Sequence, residues 1–264
     1  MAHTDVLLST NALPKSLRSP AAFVVQWLPL GIVAALWELA SGRIVDRAVL
    51  PSPVTVAGAV GDLIATGEIV PHLLVSLIRV AIGLGLSIAV GVALGIGMAR
   101  SKPVEDVFDV FLTITYPIPK TALVPLAILW LGIGTGAAVL IVFLACLLPV
   151  VLNAYNAAGD VDRNLVWSAR MMGTSERRVL WKVVAPATIP EIVTGIRQAI
   201  PIAFVALVSA ELVASNRGIG HRILSAGQLG NYPRMFAAIV VISAVAYAAV
   251  RGFELLCDRV IGWT

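Results

Sequence analysis

Long apolar runs alternate with short polar stretches along the chain, and this pattern predicts membrane-spanning helices. Residues 81–99 form one such run without a single charged side chain. A helix needs about 20 predominantly apolar residues to cross a bilayer core. Runs near that length predict six spans, at residues 21–40, 73–99, 104–130, 137–154, 192–213 and 235–256. The predicted fold is an all-α polytopic membrane protein with about six transmembrane helices.

Polar stretches between the runs predict the organisation of the chain. Residues 1–20 are predicted to be an N-terminal tail, and residues 21–264 a single transmembrane domain. Within it, residues 50–69 begin with Leu-Pro-Ser-Pro and continue with apolar residues at helical spacing, which predicts a short interfacial helix outside the membrane. Residues 157–190 are predicted to form a loop on the opposite, cytoplasmic side.

Lysine and arginine positions predict the orientation, because positive residues are retained in short cytoplasmic loops. With the N-terminus inside, cytoplasmic segments hold eleven of these residues and external segments five. Both termini are therefore predicted to be cytoplasmic. The net charge of +4 follows from this topology, and no basic patch carries the interleaved aromatic residues of a nucleic-acid site.

Three charged residues are candidates for a translocation path: Arg79, Lys120 and Glu211. Each charge costs about 2.5 to 3.5 kcal/mol at the centre of a spanning helix. Arg79 lies near the outer end of its span, where it either snorkels to the headgroups or lines a path. Lys120 follows Pro-Ile-Pro, which cannot continue a regular helix, so a broken helix with a cation at mid-depth is predicted. For Glu211 a salt bridge is favoured over contact with a substrate.

The sequence contains none of the common motifs for nucleotide binding, metal binding or redox catalysis. It has no GxxxxGK[ST] loop to hold nucleotide phosphates, no HExxH pair and no CxxC pair, and its three histidines are scattered. We therefore expect no catalytic residue, no metal site and no cofactor bound by this chain. If the chain uses energy, that energy must come from an ion gradient or from another protein.

A basic segment at residues 167–190 favours another protein over an ion gradient as the source of energy. It reads WSARMMGTSERRVLWKVVAPATIP, with Gly173 between two helix-compatible runs. Glycine adopts positive φ without steric cost, Thr174 or Ser175 can cap a following helix, and Glu176 suits its first turn. Helix, tight turn and helix are predicted, forming a rigid projection whose basic residues dock a partner or lie beside anionic lipid. A surface helix with no partner is the alternative.

This segment resembles the EAA loop of bacterial ATP-binding-cassette (ABC) importer permeases. Ala169, Gly173 and Pro186 match that pattern, whereas Trp167 replaces its acid and Ala185 its leucine. Further motifs look like the nitrate, sulfonate, taurine and bicarbonate branch of these permeases, at residues 76–83, 119–126, 129–134, 210–213 and 217–220.

The resemblance implies a type I ABC importer permease fold in a bacterial inner membrane. It implies a homodimer with two ATP-binding subunits, which hold the ATP and magnesium, and an extracytoplasmic substrate-binding protein. Its coupling contacts would be Ala169, Arg170, Met172, Gly173, Thr174, Ser175 and Arg178. A small anion is the implied solute. A heterocyclic nutrient such as a thiamine-precursor pyrimidine, a gradient-driven carrier and a membrane scaffold remain alternatives.

Overall fold

The computed structural model describes residues 20–260, with side chains described for residues 28–162 and 164–259. Within these residues the regular secondary structure is helical, apart from one isolated bridge between Ser41 and Val45. Packing contacts between residues divide the chain into two compact units, with the boundary after Ala59.

The first unit holds helix α1 (Pro20–Ala40) and the start of helix α2 (Pro53–Ala65). Between them the chain turns back, because the indole nitrogen of Trp37 donates to the carbonyl of Pro51 at 3.0 Å and Ser41 donates to the carbonyl of Leu50 at 2.8 Å. Helix α1 coincides with the first predicted span. The helix predicted within residues 50–69 is confirmed as α2, and its place at the membrane surface stays a prediction.

The second unit continues α2, and its described residues, up to residue 260, form nine further α-helices. In chain order they are α3 (Val70–Arg100), α4 (Lys102–Thr115), α5 (Val124–Leu131), α6 (Thr135–Gly159), α7 (Arg163–Met171), α8 (Glu176–Val179), α9 (Ala185–Ala214), α10 (Ile219–Gln228) and α11 (Tyr232–Val260). A 3₁₀ turn (Lys120–Leu123) precedes α5, and a π-helical turn (Leu180–Val184) joins α8 to α9.

Four helical segments of the described chain are long and apolar enough to cross a membrane: Val70–Arg100, Thr135–Gly159, Glu176–Ala214 and Tyr232–Arg259. They contain the second, fourth, fifth and sixth predicted spans. The third predicted span is broken, since α4 and the helical segment Lys120–Leu131 meet at an angle of 89°. The break predicted from Pro117 and Pro119 is therefore confirmed.

Helix α9 begins earlier than the sequence predicts. The fifth span was expected to start at residue 192, after two prolines, but a helical segment of 39 residues runs from Glu176 to Ala214. Pro186 lies in the first turn of α9 and has no N–H to donate. The preceding π-helical turn adapts the backbone to it. The helical segment therefore continues from the polar residues at Glu176 into the apolar span with no loop between them.

Helix α3 packs closely on α6 through small residues on one face. Ser87 donates to the Phe143 carbonyl at 2.8 Å, and a Cβ atom at Gly95 would lie 2.5 Å from the carbonyl oxygen of Val151. Small residues allow such close approach of helices in lipid. On another face of α3, a Cβ atom at Gly85 would meet no atom of the described residues within 4 Å.

The two glycines supply a matched test of this packing. Gly95→Ala should lower the free energy of unfolding by about 1 to 3 kcal/mol, because the added methyl group overlaps backbone. Gly85→Ala should leave it unchanged or raise it slightly, because alanine is the better helix former. Thermal unfolding of the two purified variants measures the difference, and equal melting temperatures would contradict the close approach of α3 and α6.

Candidate functional site

Two of the three charged candidates form a buried ion pair. The Nη1 atom of Arg79 on α3 lies 2.8 Å from Oε1 of Glu211 on α9. Arg79 is only 3% exposed and Glu211 is fully buried. Arg79 therefore does not snorkel to the headgroups, and the salt bridge favoured for Glu211 is confirmed. Whether either residue lines a translocation path stays a prediction.

Several neutral donors complete the environment of the Glu211 carboxylate. The hydroxyl group of Ser76 lies 2.9 Å from both of its oxygens, and the backbone N–H of Gly220 donates to Oε2 at 2.9 Å. Gly218 has a φ of 116°, and a Cβ atom there would overlap the carboxylate. The glycines at 218 and 220 therefore let the chain pass directly over the buried acid.

The Arg79 guanidinium connects further elements to this pair. Its Nη1 atom lies 2.8 Å from the hydroxyl of Ser215 and 2.8 Å from the carbonyl oxygen of Arg217, and its Nε atom lies 3.3 Å from the Thr135 hydroxyl. The backbone N–H of Gly218 also donates to Nδ1 of His72 at 3.2 Å. The resulting buried cluster joins the first turns of α3 and the last turn of α9 to the α9–α10 connection and to the start of α6.

Lys120 lies at the break between α4 and α5. Its ammonium group donates to the carbonyl oxygen of Ile118 at 3.0 Å and also to that of Thr115. The Thr115 carbonyl has no N–H four residues on, because residue 119 is proline, and it also accepts from the N–H of Ile118 at 3.3 Å. Lys120 also borders a small apolar cavity of about 90 Å³ between α4 and α6. Among the described hydrogen bonds and ion pairs, none joins Lys120 to Arg79 or Glu211.

The basic segment forms the predicted helix, turn and helix, and we name α7, α8 and the turn between them the knob. Gly173 has a φ of 76° and ends α7 through hydrogen bonds from Gly173 and Thr174 to the carbonyls of Arg170 and Ala169, at 2.9 and 3.1 Å. Ser175 occupies the N-cap position of α8, without a side-chain hydrogen bond, and Glu176 lies in the first turn.

A salt bridge that sequence reasoning missed closes the turn. Nε of Arg170 lies 2.7 Å from Oε1 of Glu176. The hydrogen bond to the Glu176 carboxylate raises the pKa of Arg170 above its ordinary value. The pair spans the glycine turn instead of one helical turn, and helical spacing therefore gave no signal for it.

The inner side of the knob is apolar and buried. Ala169 is 6% exposed and packs in a cluster with Val166, Val179, Val184 and Ala158. Ile96 and Ala99, at the end of α3, pack against the same cluster. Ala169 therefore supports the knob from within and presents almost no surface to a partner.

The outer side of the knob exposes large apolar residues beside charges. Trp167 is 67% exposed, Met171 88% and Met172 78%. Of the remaining coupling residues predicted from the sequence, Thr174 is half-buried, whereas Arg170, Gly173, Ser175 and Arg178 are exposed. Trp167 and Met171 lie four residues apart on α7, and large apolar side chains exposed together are typical of a surface that contacts another protein or a membrane.

The buried pair makes a prediction for stability. Arg79→Met or Glu211→Gln alone should destabilise the chain by about 3 to 5 kcal/mol, because each leaves the other group buried without its ionic partner. The double variant should lose clearly less than the sum of the two single losses. Thermal unfolding of the three variants completes the cycle, and strictly additive losses would contradict the coupling of Arg79 to Glu211.

Comparison with known proteins gives the context of this arrangement. Residues 87–261 match the family described as "Binding-protein-dependent transport system inner membrane component". The chain is 33% identical to the putative aliphatic sulfonates transport permease of Bacillus subtilis (strain 168), over 88% of this chain and 84% of that protein. It is 32% identical to the taurine transport system permease of Escherichia coli (strain K12), over 89% of both chains.

The fold is also similar to that of a solved structure. A structure of the MetNI methionine ABC transporter in inward-facing conformations superposes with a TM-score of 0.62, covering 73% of this chain and 94% of that chain at 18% identity. The predicted ABC importer permease fold is thereby confirmed. The chain belongs to the family of binding-protein-dependent transport system inner membrane components, as the multi-pass permease subunit of an ABC importer.

Proposed function

We propose that the chain forms the translocation path for a small anion of the sulfonate or taurine, nitrate or bicarbonate type. An extracytoplasmic binding protein delivers this solute. The observation that carries the proposal is the similarity, over most of the chain, to permeases named for aliphatic sulfonates and for taurine. Lys120 supports it, because a cation beside a helix break gives positive potential along a path of low dielectric constant.

Energy comes from two ATP-binding subunits that contact the knob. The chain itself has no phosphate-binding loop, so ATP and magnesium are held by those subunits and the permease needs no cofactor. The exposed Trp167, Met171 and Met172 provide apolar contact area, and Arg170 and Arg178 provide charge. Trp167 replaces the acid of the EAA pattern, so the first helix of the knob docks through shape and apolar contact.

The continuous segment Glu176–Ala214 transmits the movement. ATP binding closes the two ATP-binding subunits, and their clefts displace the knob. Because α8 continues through the π-helical turn into α9 with no loop between them, this displacement moves α9 directly. The Arg79–Glu211 pair then carries it to α3 at the far end of α9. Rigid-body rocking of this kind opens the path alternately to each side.

The assembly contains two copies of the permease, each with both termini in the cytoplasm. The bias of lysine and arginine supports this orientation. It places the knob inside, where ATP is available, and the buried cluster on the outer side, where the binding protein docks.

Stimulation of ATP hydrolysis identifies the solute. The transporter is assembled in proteoliposomes with its ATP-binding subunits, and binding proteins loaded with taurine, nitrate, bicarbonate or a pyrimidine are added in turn. We expect stimulation by an anion-loaded protein. Stimulation by the pyrimidine-loaded protein alone would replace the anion with a heterocyclic nutrient.

Gly173 tests the coupling role of the knob. Gly173→Glu or Gly173→Pro should lower ATP-dependent uptake roughly tenfold, with membrane insertion unchanged, because neither residue readily adopts the φ of 76° that shapes the knob. Uptake into proteoliposomes and ATP hydrolysis are measured in parallel.

Gly230 is the matched control for this change. It has a φ of 69°, and a Cβ atom there meets no atom within 4 Å, yet it lies between α10 and α11, far along the chain from the knob. Gly230→Glu should keep uptake coupled to hydrolysis. Wild-type uptake in the Gly173 variants, or equal loss in the Gly230 variant, would remove the coupling role from Gly173.

Lys120 tests the path. Lys120→Ala should reduce uptake of the anion while the assembled complex retains basal ATP hydrolysis, because a positive charge near the path is lost. Lys102→Ala is the control, since Lys102 is an exposed cation at the start of the same broken span and pairs with Glu105 and Asp106. Unchanged transport in Lys120→Ala, or an equal reduction in Lys102→Ala, would exclude Lys120 from the path.

A further inference from the structure

A large open groove lies between α3 and the start of α9. Its volume is about 740 Å³. Ile88, Val92 and Ile96 line it from α3, and Ile189 and Ile192 line it from α9. The hydroxyl of Thr188, a polar group in the lining, already donates to the carbonyl of Ala185 at 2.9 Å. The walls of the groove are therefore suited to a hydrocarbon chain.

Small residues on α3 create the depth of the groove. Ala89, Ala93 and Gly97 recur at every fourth position and line it. The neighbouring series at Gly83, Gly91 and Gly95 is already covered by α6. Within the described residues of the second unit, the second series is left open on the side of the groove. A helix face of this kind admits an apolar chain close to its backbone.

A positive charge marks one end of the groove. Arg100, the last residue of α3, lines it and is exposed. The described ion pairs do not include Arg100, and its acidic neighbour Glu176 is bound to Arg170. Trp181 lies at the same end and is 68% exposed. Arginine and tryptophan together are typical of the boundary between hydrocarbon and lipid headgroups.

The length of the groove agrees with one leaflet of a bilayer. Its α3 lining begins at Ile88 and ends at Arg100, which at about 1.5 Å per residue corresponds to roughly 18 Å. Half of a bilayer core is about 15 Å thick. An acyl chain lying in the groove would therefore bring its headgroup to the level of Arg100.

From this geometry we propose that the groove binds an acyl chain of an anionic phospholipid, whose phosphate pairs with Arg100. The basic residues Arg177 and Lys182 are exposed and close in sequence to Trp181, and they favour an anionic over a zwitterionic headgroup. The bound lipid lies in the leaflet next to the knob, which the topology proposed above makes the cytoplasmic one. It fills the space between α3 and the helix that carries the knob.

Lipid retention tests the proposal without depending on transport. The full-length chain is extracted with its subunits in lipid nanodiscs containing phosphatidylglycerol and phosphatidylcholine, and the lipids that stay bound after transfer to detergent are counted by native mass spectrometry. We expect selective retention of phosphatidylglycerol. Arg100→Gln should reduce this retention about fivefold, the loss expected for one basic residue near a membrane surface.

Two pairs of variants separate the groove from the general surface. Ala93→Phe fills the groove and should also release the lipid, whereas Ala81→Phe makes the same change at an exposed position of α3 that does not line it. Arg259→Gln removes an exposed arginine near the end of α11 and serves as the control for Arg100→Gln. Both controls should retain phosphatidylglycerol like the unchanged chain.

Three results would overturn the proposal. Equal retention of phosphatidylcholine would show that the headgroup is not recognised. Wild-type retention in Arg100→Gln and Ala93→Phe would place any bound lipid elsewhere. A disulfide between two Ala93→Cys chains would show that the groove is an interface between copies of the chain. None of these results bears on ATP-driven uptake, so failure here is distinct from failure of the proposed function.

Discussion

A polar group at membrane depth must find its partner within the protein, because the hydrocarbon core offers none. Arg79 and Glu211 form an ion pair with each other. They also form hydrogen bonds with Ser76, Ser215 and the glycine-rich segment that follows α9. Lys120 meets the same requirement at the break between α4 and α5, where its ammonium group donates to the carbonyl oxygens of Thr115 and Ile118. The α9–α10 connection and the break between α4 and α5 are thus both organised by charges that the hydrocarbon core cannot solvate.

The helices of the second unit pack on one another, whereas the outer side of the knob stays exposed. Helix α3 lies against α6 along small residues and is joined to α9 by the buried pair. Helix α9 is also continuous with α8 of the knob, because both belong to one helical segment, Glu176–Ala214. The knob packs its inner side on the ends of these helices and leaves Trp167 and Met172 exposed. A force applied to that outer side therefore acts on a connected body instead of on a loose loop.

Much of the fold could be predicted from the sequence, because runs of apolar residues near twenty long have one stable solution in lipid. The break at Pro117 and the positive φ of Gly173 were predictable for a similar reason, since both follow from local backbone chemistry. The pairing of Arg79 with Glu211 was not, because 132 residues separate them and salt-bridge partners carry no local period. The continuity through Pro186 was missed because a π-helical turn has no sequence signal that we could read, and the burial of Ala169 depends on packing against distant helices.

ATP-dependent uptake most directly tests whether this chain is a permease moved by a partner. The chain is reconstituted in proteoliposomes either alone under an imposed ion gradient or together with ATP-binding subunits, ATP and the loaded binding protein. The account predicts uptake only in the second case, with hydrolysis stimulated by the loaded binding protein. Uptake by the chain alone, driven by the gradient and indifferent to ATP, would contradict it.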